Sequence, residues 1–200
     1  LRNKHLELCW VDPIEAFFLH IQGSGTVRLD DGKDLFMTYA DKNGRRYEAV
    51  GKFLKERIAP HKVTMQRVEA ALRHMSPQER DQVLFKNPSY VFFNSSAQRA
   101  ITAIGVPATP GRTIAADPKF APKGALALLS FSKPIVDPNS PTTSDPIGAT
   151  EAHRIVIDQD SGGAITGTDR IDLFWGRGPE AKRYAGIIQH PARIVYLVPR

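Results

Sequence analysis

Three aspartates in the second half of the chain have the type and setting for acid–base work. Asp117 lies in Ala115-Ala116-Asp117-Pro118, Asp160 opens Asp160-Ser161-Gly162-Gly163-Ala164-Ile165, and Asp172 stands in Ile171-Asp172-Leu173-Phe174-Trp175-Gly176. A carboxyl can deliver a proton and take it back when its surroundings keep it protonated near the working pH. Asp172 interrupts an otherwise apolar run, so its side chain faces a polar cleft or is buried with partners. Burial against Phe174 and Trp175, or beside another carboxylate, would disfavour its charged form. The competing reading is an outward-facing aspartate on an alternating strand, and the local sequence by itself favours that one. Asp160 either orients a partner through backbone contacts or is a turn residue bonding the backbone two positions on. Gly162 and Gly163 permit close approach of a ligand or a neighbouring strand. Asp117-Pro118 alone reads as a turn.

Other chemistries have less to work with. The histidines show no metal-ligand spacing, and the single cysteine, Cys9, reads as a small buried hydrophobe. Gly23-Ser24-Gly25 lacks the Gly-Lys-Ser/Thr ending of a phosphate loop. Ser24 and His20 could pair as nucleophile and base, but nothing supplies a third member. The net charge of +6 and pI near 9.5 permit contact with acidic polymers. The basic residues are mixed with acids, and the densest cluster, Lys42 to Arg46, is broken by Asn43 and Gly44. A solvated surface is the reading, with no nucleic-acid partner. No apolar run approaches the ~20 residues that span a bilayer, and no signal segment opens the chain. The chain starts at Leu1 rather than Met, and Leu1 to Leu8 already reads as part of a fold. An N-terminal portion is therefore expected to lie outside these 200 residues.

The elements that must position the aspartates can be read from caps, periodicity and turns. Asp12-Pro13-Ile14-Glu15 has the form of a helix start, with Ile14, Phe17, Phe18 and Ile21 on one face. Thr26 to Leu29 and Leu35 to Tyr39 are strand candidates around an Asp30-Asp31-Gly32-Lys33 turn. A helix over Glu48 to Ile58 follows, then helix starts at Thr64 and at Ser76-Pro77-Gln78-Glu79, and a strand over Tyr90 to Phe93. After about Asn94 the chain turns to short β-branched runs with many Pro and Gly. Strands are predicted at Thr113 to Ala115, Ala125 to Ser130, Arg154 to Asp158, Ile171 to Phe174 and Arg193 to Val198. One helix, about Pro179 to Ile188, precedes the last strand, and Lys133 to Ala149, with its four prolines, reads as a surface loop. Short strands with many turns suggest a small barrel. The domain boundary is placed between Ser95 and Ile104, giving domains 1–100 and 101–200.

Several of these segments together resemble one family. Gln159-Asp160-Ser161-Gly162-Gly163-Ala164-Ile165-Thr166-Gly167 followed by Asp172-Leu173-Phe174-Trp175-Gly176-Arg177-Gly178 is similar to the C-terminal 3D domain of MltA-type lytic murein transglycosylases. That domain is named for three aspartates, and Asp117, Asp160 and Asp172 fall at the matching places. Val106 to Arg112, Ala181 to Gly186 and Arg193 to Leu197 resemble its opening and closing segments. Phe17 to Gly25, Tyr39-Ala40-Asp41-Lys42-Asn43-Gly44 and Asn87 to Phe93 resemble the family's inserted domain.

The resemblance implies a mainly β fold with some α: a double-psi β-barrel over 101–200, and a smaller β-barrel-like domain with helices over 1–100, with glycan between them. It implies cleavage of the β-1,4 bond between N-acetylmuramic acid and N-acetylglucosamine, with a 1,6-anhydro product. Asp172 matches the single acid and base, and Asp160 takes a supporting catalytic role. Asp117 shapes the barrel. Gln22, Ser24, Tyr39, Lys42 and Asn43, with Gly162, Gly163 and Phe174, are the candidates for binding sugar. No metal or other cofactor is implied. The partner is peptidoglycan. The expected setting is a monomer at the periplasmic face of a Gram-negative outer membrane, held by a lipid anchor outside this chain. Two other readings compete: a glycan-binding module without catalysis, and an envelope scaffold.

Overall fold

Asp12 starts the first helix. Its Oδ1 accepts the amides of Ile14 (3.0 Å) and Glu15 (3.1 Å), two of the donors that a helix N-terminus leaves unpaired. Helix α1 runs Pro13–Gln22 and buries Ile14, Phe17 and Phe18. Glu15 pairs with Arg73 instead of returning a bond to the cap, because a guanidinium within reach is a stronger partner than an amide. The structure is a computed structural model that describes residues 6–96, 101–163 and 165–198. Residues 1–5, the 97–100 part of the expected domain boundary, and Ala164 of the Asp160 motif lie outside the described residues.

The chain divides into two compact units, Leu1–Val63 with Arg67–Ala100, and Thr64–Gln66 with Ile101–Arg200. The first unit holds a three-stranded antiparallel sheet of β1 (Ser24–Arg28), β2 (Asp34–Lys42) and β3 (Val91–Ser96), in that order. The β1–β2 turn falls within the predicted Asp30 to Lys33 segment, with Asp30 and Asp31 at its centre and Gly32 following them. Gly32 takes a φ of 81°, which a β-carbon would oppose, and its N–H donates to the Leu29 carbonyl.

The helix expected over Glu48 to Ile58 does not form as such. Val50–Phe53 is a short 3-10 helix with no side-chain cap, and turns follow it. Of the apolar positions read for that helix, Val50, Leu54 and Ile58 are buried, but Phe53 is 46% exposed. Gly51 sits where a β-carbon would come 2.8 Å from Val63, and glycine in the middle of the segment also weakens an α-helix there. Helices α2 (Met65–Arg73) and α3 (Pro77–Leu84) follow, and Ser76 and Glu79 form the capping box ahead of α3.

The second unit is built on a five-stranded sheet with order β7-β4-β6-β5-β8. Its strands are β4 (Thr113–Ala115), β5 (Leu126–Ile135), β6 (Gly148–Asp160), β7 (Asp172–Leu173) and β8 (Ala192–Tyr196), with helix α4 (Gly178–Ile187) before the last. Among the described residues no pairing joins β7 to β8, so the sheet order is open. Ile114, Ala127, Leu129, Phe131 and Val156 form its core. Alternate residues of β5 are buried, as a sheet covered on one face requires.

The supposed loop from Lys133 is partly strand. Lys133, Pro134 and Ile135 pair with Thr150, Ala149 and Gly148. Proline is tolerated because β8 pairs only with Ala127 to Phe131, which leaves the far side of Pro134 without a strand neighbour to satisfy. Cys9 is partly rather than fully buried.

The face assignment of β5 can be checked with adjacent leucines. Leu129, 2% exposed, should lose about 2–5 kcal/mol of stability as Leu129→Ala. Leu128→Ala, at a position 41% exposed, should cost well under about 1 kcal/mol in the same urea titration.

Candidate active site

Ala115 is the pivot of the aspartate cluster. In the parallel pairing with β6 its partner is Asp160, and in the antiparallel pairing with β7 its partner is Asp172. Strands in a sheet lie ~4.8 Å apart, so the two aspartate backbones are about 10 Å apart across β4. Asp117 follows two residues after Ala115. The topology thus gathers all three aspartates at one end of β4.

A bulge aims Asp160. Ile114 pairs with Asp158 and Ala115 with Asp160, which leaves Gln159 as the extra residue. Consecutive residues of β4 face opposite ways, so the bulge turns Asp160 to the face opposite Asp158. In an unbulged strand the two would share a face. The extra residue is held in place, since the Thr113 hydroxyl donates to Gln159 Oε1 at 2.5 Å.

Each aspartate has a different environment. Asp117 is buried. Its Oδ1 accepts the Lys119 amide (2.9 Å) and its Oδ2 accepts the Gly167 amide (2.8 Å). The two backbone donors, with help from Lys119 and Lys123, hold its carboxyl below the usual carboxylate range. Asp160 is partly buried, and its Oδ1 accepts the amides of Ala103 (3.0 Å) and Ser161 (2.9 Å).

Asp172 is exposed, with 46% of its side chain accessible. It is paired fork to fork with Arg170, both contacts at 2.9 Å. That pairing pushes the Arg170 guanidinium further up. The apolar enclosure expected from Phe174 and Trp175 is not what surrounds Asp172. Trp175 instead stacks on Tyr184 at 4.9 Å and packs edge-on against Phe131, joining the core. Phe174 is partly buried, and its backbone extends the β7–β4 contact through Thr113 and Gly111. Gly162 and Gly163 are exposed, and a β-carbon at Gly162 would come 3.0 Å from Ile165, so this glycine has a packing role of its own.

Sequence reasoning missed the most buried member of the site. Asp158 has no exposure at all. Its Oδ1 accepts from Lys123 Nζ at 2.6 Å and its Oδ2 from the Tyr196 hydroxyl at 2.9 Å. Burial first, and then the bond to Asp158, push the Tyr196 hydroxyl far up, so it stays a donor. The signal was available: Ile155-Val156-Ile157-Asp158 is an apolar strand interrupted by an aspartate, the same feature that drew attention to Asp172. Nothing local announced that Lys123 and Tyr196 would meet it.

In the first unit the candidate sugar-binding residues lie on strands β1 and β2 and their approaches. Gln22 ends α1 and is exposed, and Ser24 opens β1. Tyr39 is 51% exposed in β2 beside a register shift, and Lys42 ends that strand. Asn43 is committed to the fold. Its Oδ1 accepts the amides of Tyr90 (3.0 Å) and Arg45 (3.2 Å), and its Nδ2 donates to the Pro88 carbonyl (2.8 Å). His20 is also structural. Its Nδ1 accepts the Val91 amide at 3.2 Å, its ring packs on Tyr90, and burial lowers its pKa. That leaves Ser24 without the base imagined for it.

Comparison with known proteins places this geometry. The MltA specific insert domain matches residues 1–94, and the 3D domain matches residues 112–198. The membrane-bound lytic murein transglycosylase A of Escherichia coli is 33% identical over 189 residues, which covers 90% of this chain and 48% of that protein. The chain belongs to the MltA family of lytic transglycosylases.

The MltA-type fold is shared in three dimensions as well. The crystal structure of a membrane-bound lytic murein transglycosylase from Agrobacterium tumefaciens is 31% identical with a TM-score of 0.80, covering 100% of this chain and 54% of that one. The structure of Escherichia coli MltA with bound chitohexaose is 29% identical with a TM-score of 0.79, covering 93% of this chain and 54% of that one. The chain spans about half the length of the curated relatives it matches. Asp117, Lys123, Asp158, Asp160 and Asp172 all fall within the 3D-domain match, and Gln22, Ser24, Tyr39, Lys42 and Asn43 within the MltA insert match.

Three substitutions separate fold from site. Asp117 is depressed on folding, so its stabilisation is present above the unfolded value near ~4 and is lost as pH falls below it toward the folded value. Asp117→Asn should therefore flatten the loss of stability below about pH 4, read by urea unfolding across that range; an unchanged slope would contradict this. Asn43→Ala should cost about 1–2 kcal/mol in the same assay, while Lys42→Ala should cost close to nothing.

Proposed function

We propose that this chain is the glycan-cleaving part of a peptidoglycan lytic transglycosylase, with Asp172 as its single general acid and base. The observation that carries the reading is the register that sets Asp160 and Asp172 on either side of Ala115, inside the 3D-domain match. The bond cut is the β-1,4 link from N-acetylmuramic acid to N-acetylglucosamine. Asp172 gives its proton to the glycosidic oxygen as the bond from C1 breaks, and Asp160 stabilises the positive character left at C1. The C6 hydroxyl oxygen of the same sugar then bonds to C1, and its proton passes to Asp172. The carboxyl ends as it began, and no water is consumed. A standard glycosidase divides these tasks between two carboxylates.

Before it can donate, Asp172 must exchange its pairing with Arg170 for a proton. That pair is about half exposed, and exposed pairs are worth only about 0–1 kcal/mol, so bound glycan displaces it at little cost. The water-free setting the acid needs comes from the sugar covering it. Gln22, Ser24, Tyr39 and Lys42 bond sugar hydroxyls and acetamides, Phe174 offers a ring face, and Gly162 and Gly163 expose backbone to the strand. Asn43 contributes by fixing the turn after Lys42. We read the second unit as built on the double-psi β-barrel plan and the first as the smaller barrel-like insert. On this reading the protein works as a monomer, lipid-anchored at the periplasmic face of the outer membrane; the support is that its relatives are named membrane-bound.

The test is mass spectrometry of products from purified peptidoglycan, with Asp172→Asn as control. Muropeptides one water lighter than hydrolysis products, absent with the variant, are the expected result. Reducing-end products would make the protein a hydrolase and remove the one-carboxylate mechanism. Binding without cleavage would make it a glycan-binding module.

A further inference from the structure

Lys123 lies in a tight turn pinned to β6. The turn Pro122-Lys123-Gly124-Ala125 closes by the Ala125 amide donating to the Pro122 carbonyl, with Gly124 at a φ of 85°. The Gly124 amide donates to the Asp158 carbonyl at 2.7 Å, and the Asp158 amide donates back to the Ala125 carbonyl at 3.0 Å. From this anchor the lysine side chain, 18% exposed, runs inward to three acceptors. These are Asp158 Oδ1 at 2.6 Å, the Asp160 carbonyl at 2.7 Å and the Ala116 carbonyl at 2.8 Å. An ammonium has three N–H groups, and each finds a partner.

Stability alone does not account for this arrangement. Burying an ion pair incurs desolvation that well-packed apolar residues avoid, and replacing such pairs is often neutral or stabilising. What apolar packing cannot do is fix the direction of two carbonyl groups. The Ala116 carbonyl belongs to the peptide that leads into Asp117. The Asp160 carbonyl belongs to the peptide that leads into Ser161 and the Gly162–Gly163 turn. Immediately before Ala116 stands Ala115, the register partner of both Asp160 and Asp172. Among the described residues β7 stands at the edge of the sheet with β4 as its one strand neighbour, so Asp172 goes where the end of β4 goes.

We propose that Lys123 is a positioning residue that locks the ends of β4 and β6 together and so sets the geometry between Asp160 and Asp172. The inference rests on the reading of those aspartates as the catalytic site, but the clamp itself can be measured without catalysis. Lys123→Met alone strands the buried Asp158 charge, so the informative variant is Lys123→Met with Asp158→Asn, beside Lys123→Arg.

Hydrogen exchange is measured at Ala116 and at residues 161–163, together with cooperative urea unfolding and with kcat and KM on soluble glycan strands. The double variant should unfold cooperatively, with exchange at those amides faster by about tenfold or more. Its kcat should fall by about ten- to a hundredfold with KM nearly unchanged, the signature of misplaced reacting groups, and Lys123→Arg should recover part of the loss. A folded double variant with unchanged exchange and unchanged kcat would overturn the proposal. If the unsubstituted protein releases no anhydro product, the functional reading fails, and the exchange result still decides the clamp.

Discussion

Strand β4 is the constraint on which the candidate site depends. It is three residues long, and Thr113, Ile114 and Ala115 are all buried. A strand so short cannot hold itself in place by its own ladder; it is held by neighbours on both sides. Parallel pairing with β6 requires the chain to leave and return, and the long β5–β6 hairpin makes that journey. Ile114 sits with no exposure in the core of the second unit. Its burial fixes the depth of β4, and the next residue, Ala115, then presents its two flanking partners at a set spacing.

The second unit also shows how one chain treats aspartates of similar local sequence in opposite ways. Asp158 is fully enclosed and is tolerated because Lys123 supplies an opposite charge and Tyr196 a hydroxyl donor. Burial and the neighbouring carboxylate push the Tyr196 hydroxyl up, so its bond to Asp158 persists across the physiological range. Asp172 is left at the surface with a partner it can exchange. A carboxylate that must change partners during a reaction cannot be tied down as Asp158 is. The bulge at Gln159 completes the division of labour, because it lets Asp158 face the ion pair and Asp160 face away from it.

In the first unit the same economy appears in a smaller form. Asn43 and His20, which on sequence alone were candidates for substrate contact or catalysis, spend their polar atoms on the backbone between Pro88 and Val91. They tie the end of β2 and the end of α1 to the approach to β3. The residues left with outward-facing groups, such as Tyr39 and Lys42, are thereby held at defined positions on a stiff sheet.

The sequence by itself determined the local elements and the family. Caps at Asp12 and Ser76 and the turn within Asp30 to Lys33 are written in short-range chemistry and appear where they were expected. The motif around Asp160 and Asp172 was legible for the same reason, since the residues that define it are near neighbours in the chain. Only the tertiary structure decided which aspartate is buried, which face Asp160 takes, and what surrounds Asp172. Those outcomes depend on strand order, on one extra residue at Gln159 and on a lysine 35 positions from its partner. The segment from Val50 shows the same limit: a helix was read there, and the chain forms a short 3-10 turn without a side-chain cap. Register, burial and pairing of charges are properties of segments that meet only after folding, and no local pattern encodes them.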